Sequence, residues 1–321
     1  RKYFIDFGIT EYLLILCGVI IGYVPSILIH EAGHLFFGLR SGYNFVSFRI
    51  LRHLWYKEDG KIVYKKNKVI SGILGQCLMI PKEEYNDGFK YLAYNRGGYI
   101  FNLLLAIILY LLMFIIKIDI LFYVLSGFYF IDLIMFISNF IPNAQIIPND
   151  GHNIKICKKH EHSRRALYYQ LYSNNKFQEG YSVTDFSELY NFDIESSKNE
   201  PLTIPLILFD FNNQIVLDNI EKAYEIISKL FSNKEFYPKA FRNGITILHI
   251  FTCYIKGFDD LAKDSINSLP KIFKKLLKTN QKQTILAFLN YVNSAIYDEN
   301  FDLMKQNFTN CILTEIIKTD I

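Results

Sequence analysis

The feature that most constrains this chain is a short polar motif at the end of a long apolar run. The run covers residues 12–29, carries no charge, and is followed at once by His-Glu-Ala-Gly-His at 30–34. On a helix, His30 and His34 lie four positions apart on one face, so both imidazoles can bind one zinc ion. Glu31 can then act on a water at the metal. About 18 apolar residues cross most of a bilayer core, so the motif predicts zinc chemistry at membrane depth.

A second interpretation of the motif is purely structural. A helix can bury two hydrogen-bonded histidines next to a glutamate without any metal. Ionisable side chains beside a membrane core are costly, however, and are usually retained for a shared task. We therefore expect His30 and His34 to be metal ligands and Glu31 to be a catalytic residue.

Composition divides the chain into an apolar first part and a polar second part. Hydrophobic residues make up 51% of the sequence, and the excess lies before about residue 153. The net charge of +4 is too small to indicate nucleic-acid binding. The cysteines are scattered and form no Cys-x-x-Cys pair, which argues against a zinc ribbon or a disulfide framework. They are Cys17, Cys77, Cys157, Cys253 and Cys311.

Three stretches are long and apolar enough to span a membrane, at about 10–39, 97–116 and 120–141. Only three residues, 117–119, join the last two, so these two spans form a tight antiparallel hairpin. The one charge within the third span is Asp132. A carboxylate at that depth is a functional candidate, as part of a water path or as a polar partner between helices.

A region of different character, at 45–80, lies between the first two spans. Aromatic and β-branched residues are frequent there, and Asp59-Gly60 separates two such runs. An Asp-Gly pair in this setting predicts a β-hairpin. We therefore expect a mainly α membrane protein, with three transmembrane helices and a small membrane-associated β-hairpin sheet.

The basic residues predict the orientation in the membrane. Eleven Lys or Arg residues lie within 40–96, and five more lie between 155 and 165, after the last span. By the positive-inside rule, the N-terminus is outside and the C-terminal half is cytoplasmic. The frequent Lys, Ile, Asn, Phe and Tyr are typical of an AT-rich genome, so the expected location is a bacterial cell membrane, as a multi-pass protein.

The chain beyond the spans is predicted to be helical. Apolar residues recur at three-four spacing, as in amphipathic helices, and no further span is found. We expect an intramembrane domain at 1–153 and an all-α cytoplasmic domain at 154–321, for which an α-solenoid is one form. Such a domain could bind a cytoplasmic protein partner.

A catalytic zinc ion needs a third protein ligand in addition to two histidines and a water. The segment that follows the third span supplies an acid, Asp150, at the same depth and on the same side. Asp150 is therefore the candidate third ligand. Glu83 and Asp87 are an alternative, because a pair of acids at this spacing could supply the ligand from a helix.

Further motifs accompany the histidines. They are a glycine-rich start to the second span, from Gly97 to Ala106, then Asn139-Phe-Ile-Pro142, and then Asp150-Gly151. In these motifs the chain resembles the site-2 protease family of intramembrane zinc metalloproteases, over roughly residues 10–153. The gap before Asp150 is longer than in the compact family motif, which leaves His152 and Asn149 as alternative ligands.

The resemblance implies a zinc endopeptidase that cuts in or near transmembrane segments of membrane-anchored substrates. Regulators, signal-peptide remnants and peptide precursors are the substrate classes it suggests. Glu31 then carries the proton from the attacking water to the leaving amine. Asn102 and Asn139 are predicted to donate hydrogen bonds to the substrate backbone or the oxyanion, or else to clasp helices together.

The main alternative is a non-catalytic membrane adaptor or pseudoprotease whose helical domain binds a partner. The complete motif at 30–34 together with Asp150-Gly151 argues against it. A zinc sensor or transporter is disfavoured by the small number of spans. Because a substrate helix must unwind before it is cut, an exposed edge of the hairpin at 45–75 is predicted to hold the extended segment by strand addition.

Overall fold

A computed structural model describes residues 8–66, 74–86, 88–198 and 200–269. The described residues divide into two compact units. The first comprises those within Arg1–Asn143 and Asn149–Lys155, and the second those within Ala144–Pro148 and Ile156–Ile321. The expected boundary at 153/154 falls inside one helix, Asp150–Lys159, and the assignment of two domains stays a prediction.

Three long apolar helices dominate the first unit: α1 (Ile9–Arg40), α2 (Tyr91–Ile115) and α3 (Asp119–Phe140). Each is long and apolar enough to cross a membrane, as the sequence predicted. The apolar run starts at 97, which was the expected start of the span, but α2 begins earlier, at Tyr91. The polar residues before the run are therefore helical as well. Asn95, for example, donates a hydrogen bond of 2.8 Å to the backbone oxygen of Tyr91 within the same helix.

Glycines allow the three helices to approach closely. A Cβ atom on Gly33 of α1 would lie 2.1 Å from the backbone oxygen of Gly97 in α2. On Gly18 of α1, a Cβ atom would lie 2.0 Å from the backbone oxygen of Val124 in α3. Larger residues at these positions would push the helices apart. Since Gly33 lies between the two histidines of the motif, its contact brings them against α2.

A four-stranded antiparallel sheet follows α1, in the strand order β3-β2-β1-β4. The strands are β1 (Tyr43–Ile50), β2 (His53–Glu58), β3 (Lys61–Lys66) and β4 (Gly75–Pro81). The predicted hairpin is confirmed, because β2 and β3 are joined by Asp59 and Gly60 with φ of 48° and 77°. Positive φ at both central residues is typical of a type I′ turn, which Asp-Gly favours. β4 forms the edge of the sheet beside β1.

The second unit is helical over most of its described residues. Its α-helices are the last part of α4 (Asp150–Lys159), then α5 (Glu161–Gln178), α6 (Ile204–Val216), α7 (Ile220–Ser232), α8 (Lys239–Ile255) and α9 (Asp259–Asn267). The buried residues of α7, such as Ala223, Ile227 and Leu230, recur at three-four spacing on one face. The solenoid and the cytoplasmic location stay predictions, and residues 270–321 lie outside the described part of the chain.

A candidate metal centre between three helices

The two histidines of the motif lie one helical turn apart on α1, facing α2. Their Nε2 atoms are 3.1 Å apart, and the two ring planes meet at 80°. A Cβ atom on Gly98 of α2 would lie 2.5 Å from the Nε2 atom of His30 and 2.6 Å from that of His34. Gly98 therefore leaves open the space that both Nε2 atoms face.

Asp150 reaches the same space from the first turn of α4. Its Oδ2 atom lies 3.2 Å from Nε2 of His30 and 3.3 Å from Nε2 of His34. His30, His34 and Asp150 each offer one candidate ligand atom, and the three atoms lie within 4.8 Å of one another. A metal site can be built from acidic, histidine or cysteine side chains. Among the described residues, these three are the ones that lie close enough together to hold an ion. The three residues predicted as ligands are thus close together, and their role as ligands stays a prediction.

Asn149 holds Asp150 in this position. Its Oδ1 atom accepts from the backbone N–H of His152 at 2.9 Å, which caps the start of α4, and from that of Asn143 at 3.0 Å. Its Nδ2 atom donates to the backbone oxygens of Ser138 and Ile141 at the end of α3. Asn149 therefore ties the start of α4 to the end of α3, and it does so without reaching the ligand cluster itself.

The hydrogen bonds of the two imidazoles show that the cluster suits a cation. Nδ1 of His34 lies 2.8 Å from the backbone oxygen of Tyr94, and Nδ1 of His30 lies 2.8 Å from Oδ1 of Asn102. Both partners accept, so each ring, when neutral, carries its proton on Nδ1 and turns a bare Nε2 inward. Oδ2 of Asp150 is buried and has no hydrogen-bond partner. Two imidazole lone pairs and a carboxylate oxygen thus converge, which is a donor set typical of zinc.

The charge state of Asp150 agrees with this role. Burial by itself would raise the pKa of the carboxyl group. Protonation of the facing imidazoles of His34 and His30 supplies positive charge that outweighs burial and holds the pKa of Asp150 well below its ordinary value. The carboxyl group is therefore ionised at neutral pH, as a metal ligand must be.

Glu31 lies next to the ligand cluster, between α1 and the edge strand β4. The residue is buried, with 9% of its surface exposed. A Cβ atom on Gly75 of β4 would lie 2.8 Å from its Oε1 atom and 2.4 Å from a methyl carbon of Ile27. Glycine at position 75 therefore lets the edge strand pass directly over the carboxylate.

The two candidate asparagines have different surroundings. Asn102 is fully buried, and its Nδ2 atom donates to the backbone oxygen of Ser26 at 3.0 Å and to Oδ1 of Asp132 at 2.7 Å. Its polar atoms thus join α1, α2 and α3. Asn139 donates within its own helix, to the backbone oxygen of Met135 at 3.0 Å. A hydrogen bond from either residue to substrate stays a prediction.

The alternative ligands do not join the cluster. His152 and Glu83 are described residues outside the group of three, and Asp87 lies outside the described part of the chain. Sequence reasoning missed Tyr94, whose backbone oxygen orients His34. No signal could have identified it, because the contact uses a backbone atom that every residue has.

Comparison with known proteins identifies the family. The family model described as peptidase family M50 matches residues 18–305, which is most of the chain. No curated protein and no solved structure matches this chain. The matched range includes the motif at 30–34, Asn102 and the Asp150 segment. The chain therefore belongs to peptidase family M50, the site-2 protease family.

Proposed function

We propose that this protein is a zinc-dependent endopeptidase that cuts membrane-embedded substrates within the bilayer. The observation that carries this is the convergence of two bare imidazole nitrogens and an unpartnered carboxylate oxygen among membrane-spanning helices. His30, His34 and Asp150 would hold the ion. Membership of family M50 and the three apolar helices support a membrane metalloprotease.

The residues around the cluster suit peptide hydrolysis. A bound zinc ion would lower the pKa of a coordinated water and polarise a peptide carbonyl. Glu31, one residue after the first ligand, would accept the proton of the attacking water and return it to the leaving amine. Its buried position beside Gly75 keeps the carboxylate close to the reacting groups and away from bulk water.

The edge strand β4 is the surface on which an extended substrate segment would be held. It is the outermost strand of the sheet on the side of α1, and its first residues pass over Glu31. A segment added beside β4 would present its backbone next to the catalytic residue. The outer edge of the predicted 45–75 hairpin is β3, at the opposite side of the sheet. Of the two edges, β4 is therefore the one that serves strand addition.

The orientation follows from charge. Eleven Lys or Arg residues between 40 and 96 favour a cytoplasmic location for the sheet, with the N-terminus outside. Residues 154–321 would then form a cytoplasmic domain. Asn102 and Asn139 would line the site, Asn102 from α2 and Asn139 from the end of α3.

The test compares zinc content with cleavage of a reporter transmembrane helix, using the purified full chain. Wild type should hold about one zinc and cut the reporter, as three protein ligands and one water position require. Glu31→Gln should keep the metal and lose cleavage, and Asp150→Asn should weaken metal binding. Glu11→Gln, in the first turn of the same helix α1, is the matched control and should change neither.

Two results would overturn the proposal. If wild type binds no zinc, the cluster is structural. If Glu31→Gln cuts as fast as Glu11→Gln, the glutamate of the motif has no part in the reaction, and the non-catalytic adaptor becomes the better interpretation.

A further inference from the structure

Asp132 is a fully buried acid in the middle of α3, and the proposed reaction does not use it. It is the one charged residue between 120 and 141, and it has no exposed surface. An acid at that depth is expensive to retain, so it usually has a task. No hydrogen bond or ion pair joins it directly to His30, His34 or Asp150, and its side-chain partner in α2 is Asn102.

A chain of two hydrogen bonds connects Asp132 to His30. Oδ1 of Asp132 accepts from Nδ2 of Asn102 at 2.7 Å, and Oδ1 of Asn102 lies 2.8 Å from Nδ1 of His30. The same Nδ2 atom donates to the backbone oxygen of Ser26 at 3.0 Å. Two acceptors thus hold the amide nitrogen on one side, which leaves the amide oxygen to face the imidazole.

We infer that Asp132 is a positioning residue that fixes the amide orientation of Asn102 and, through it, the metal-binding tautomer of His30. A reversed amide would place its oxygen against two other oxygens, those of Asp132 and Ser26, and its nitrogen against Nδ1 of His30. Unpaired buried acceptors are costly, and Asn102 has no exposed surface at which water could pair with them. The reversed amide would also favour a proton on Nε2 of His30, where the metal must bind.

The two histidines differ in how they are oriented, and the difference supports this assignment. His34 donates to a backbone oxygen, that of Tyr94, at 2.8 Å. A backbone carbonyl is held by its helix and accepts in every state. His30 instead depends on a side-chain amide, which presents an acceptor in one orientation and a donor in the other. Only His30 therefore needs a further residue to select the orientation.

This inference rests on the zinc site proposed above, and its test has two separate measurements on the full chain in detergent. The first is zinc affinity, measured by competition with a chromophoric chelator. The second is the tautomer of each histidine in metal-stripped protein, read from ¹⁵N chemical shifts of ¹⁵N-histidine-labelled samples. The signal of His30 is identified by its loss in His30→Ala.

The key variant is Asp132→Leu. It should weaken zinc binding about 10- to 100-fold, which is the usual effect of losing a residue that orients a ligand. The proton of His30 should move from Nδ1 toward Nε2, while the signal of His34 stays in place. Asp132→Asn keeps an acceptor oxygen and should stay within about threefold of wild type, since the hydrogen bond survives. If Asp132→Leu does not fold, Asp132→Ser replaces it, because the serine side chain is one bond shorter and its hydroxyl does not reach Asn102.

Two controls separate positioning from helix packing. Ser126→Ala removes another polar side chain of α3, whose hydroxyl contacts Met113 of α2 and Phe122 of α3, and should leave zinc affinity and tautomers unchanged. In an Asn102→Leu background, Asp132→Leu should cause no further loss of zinc affinity, because the connecting amide is already gone.

The inference is overturned if Asp132→Leu or Asp132→Ser leaves zinc affinity and the His30 tautomer unchanged. It is equally overturned if the losses from Asp132→Leu and Asn102→Leu add independently, or if His30 and His34 change alike. If wild type binds no zinc, the proposed function fails, while the tautomer measurement still decides the connection between Asp132 and His30.

Discussion

The hydroxyl group of Tyr94 donates a hydrogen bond of 2.7 Å to the backbone oxygen of Cys77. The backbone oxygen of Tyr94 in turn accepts from His34. One residue of α2 thus contacts both a proposed metal ligand and the edge strand β4. Two different groups of this residue make these contacts, its hydroxyl to the strand and its backbone oxygen to the imidazole.

Tyr94→Phe should therefore separate substrate binding from metal binding. The backbone contact to His34 is retained, so zinc content should not change. Loss of the hydroxyl frees β4, and cleavage should fall about two- to tenfold, as for one buried hydrogen bond. The measurement is kcat/KM for a reporter helix together with zinc content. Tyr110→Phe, at a half-exposed position of the same helix, is the control. Loss of zinc in Tyr94→Phe would contradict the expectation.

Gly75→Ala tests the close passage of β4 over Glu31. The added Cβ atom would lie 2.4 Å from a carbon of Ile27 and 2.8 Å from Oε1 of Glu31, so strand or carboxylate must move. Overpacking of this kind costs about 1–3 kcal/mol, so cleavage should fall at least about fivefold with zinc retained. The adjacent variant Gln76→Ala should cut normally. Equal rates for the two variants would show that β4 has no role in the reaction.

Asn149 is predicted to support metal binding without being a ligand. Asn149→Ala removes the cap of α4 and the two donors to the end of α3, and zinc affinity should fall about tenfold. Asn149→Asp keeps the capping oxygen but turns a second carboxylate oxygen toward the backbone oxygens of Ser138 and Ile141, so its zinc affinity should fall at least as far as that of Asn149→Ala. Chelator competition measures all three. If both variants bind zinc as wild type does, Asp150 is held by other contacts.

The second unit should lose stability in mild acid because of His249. Burial, with a smaller effect of Lys234, lowers the pKa of His249 to about 4. The unfolded chain binds the proton near pH 6.5, so between these values the unfolded state holds more protons. Stability is therefore full above about pH 6.5 and falls as the pH drops toward 4, by up to about 3 kcal/mol.

Thermal unfolding followed by circular dichroism at pH 7, 6 and 5 checks this dependence. His249 donates to or accepts from Ser265 at 3.0 Å and stacks on Phe231. His249→Gln keeps a polar group but cannot titrate, so its midpoint should vary less with pH. An equal decline in both proteins would assign the acid sensitivity to other groups.

Local patterns were sufficient to predict the apolar helices and the hairpin, and to single out the candidate metal ligands His30 and His34. Apolar runs predicted three membrane helices because length and hydrophobicity act residue by residue. The Asp59-Gly60 turn was predictable because few residue pairs accept two positive φ angles. The start of α2 was misplaced, since Asn95 and Arg96 are polar yet remain helical.

The partners of buried polar groups required the structure. Asn102 and Asp132 were both recognisable as candidates, but nothing in the sequence pairs them across helices. Their contact depends on the packing of the helices, which glycines such as Gly18 and Gly33 determine through close backbone approach. The role of Gly98 likewise appears only when the space above the two imidazoles is known.

The sequence by itself determined the candidate metal ligands on the first helix, because the spacing of His30 and His34 places both on one face whatever surrounds them. It also determined the membrane setting of those residues. Only the tertiary structure decided which groups surround them. The approach of Asp150, the strand beside Glu31 and the amide that orients His30 come from distant parts of the chain, and their meeting depends on helix packing that no local pattern encodes.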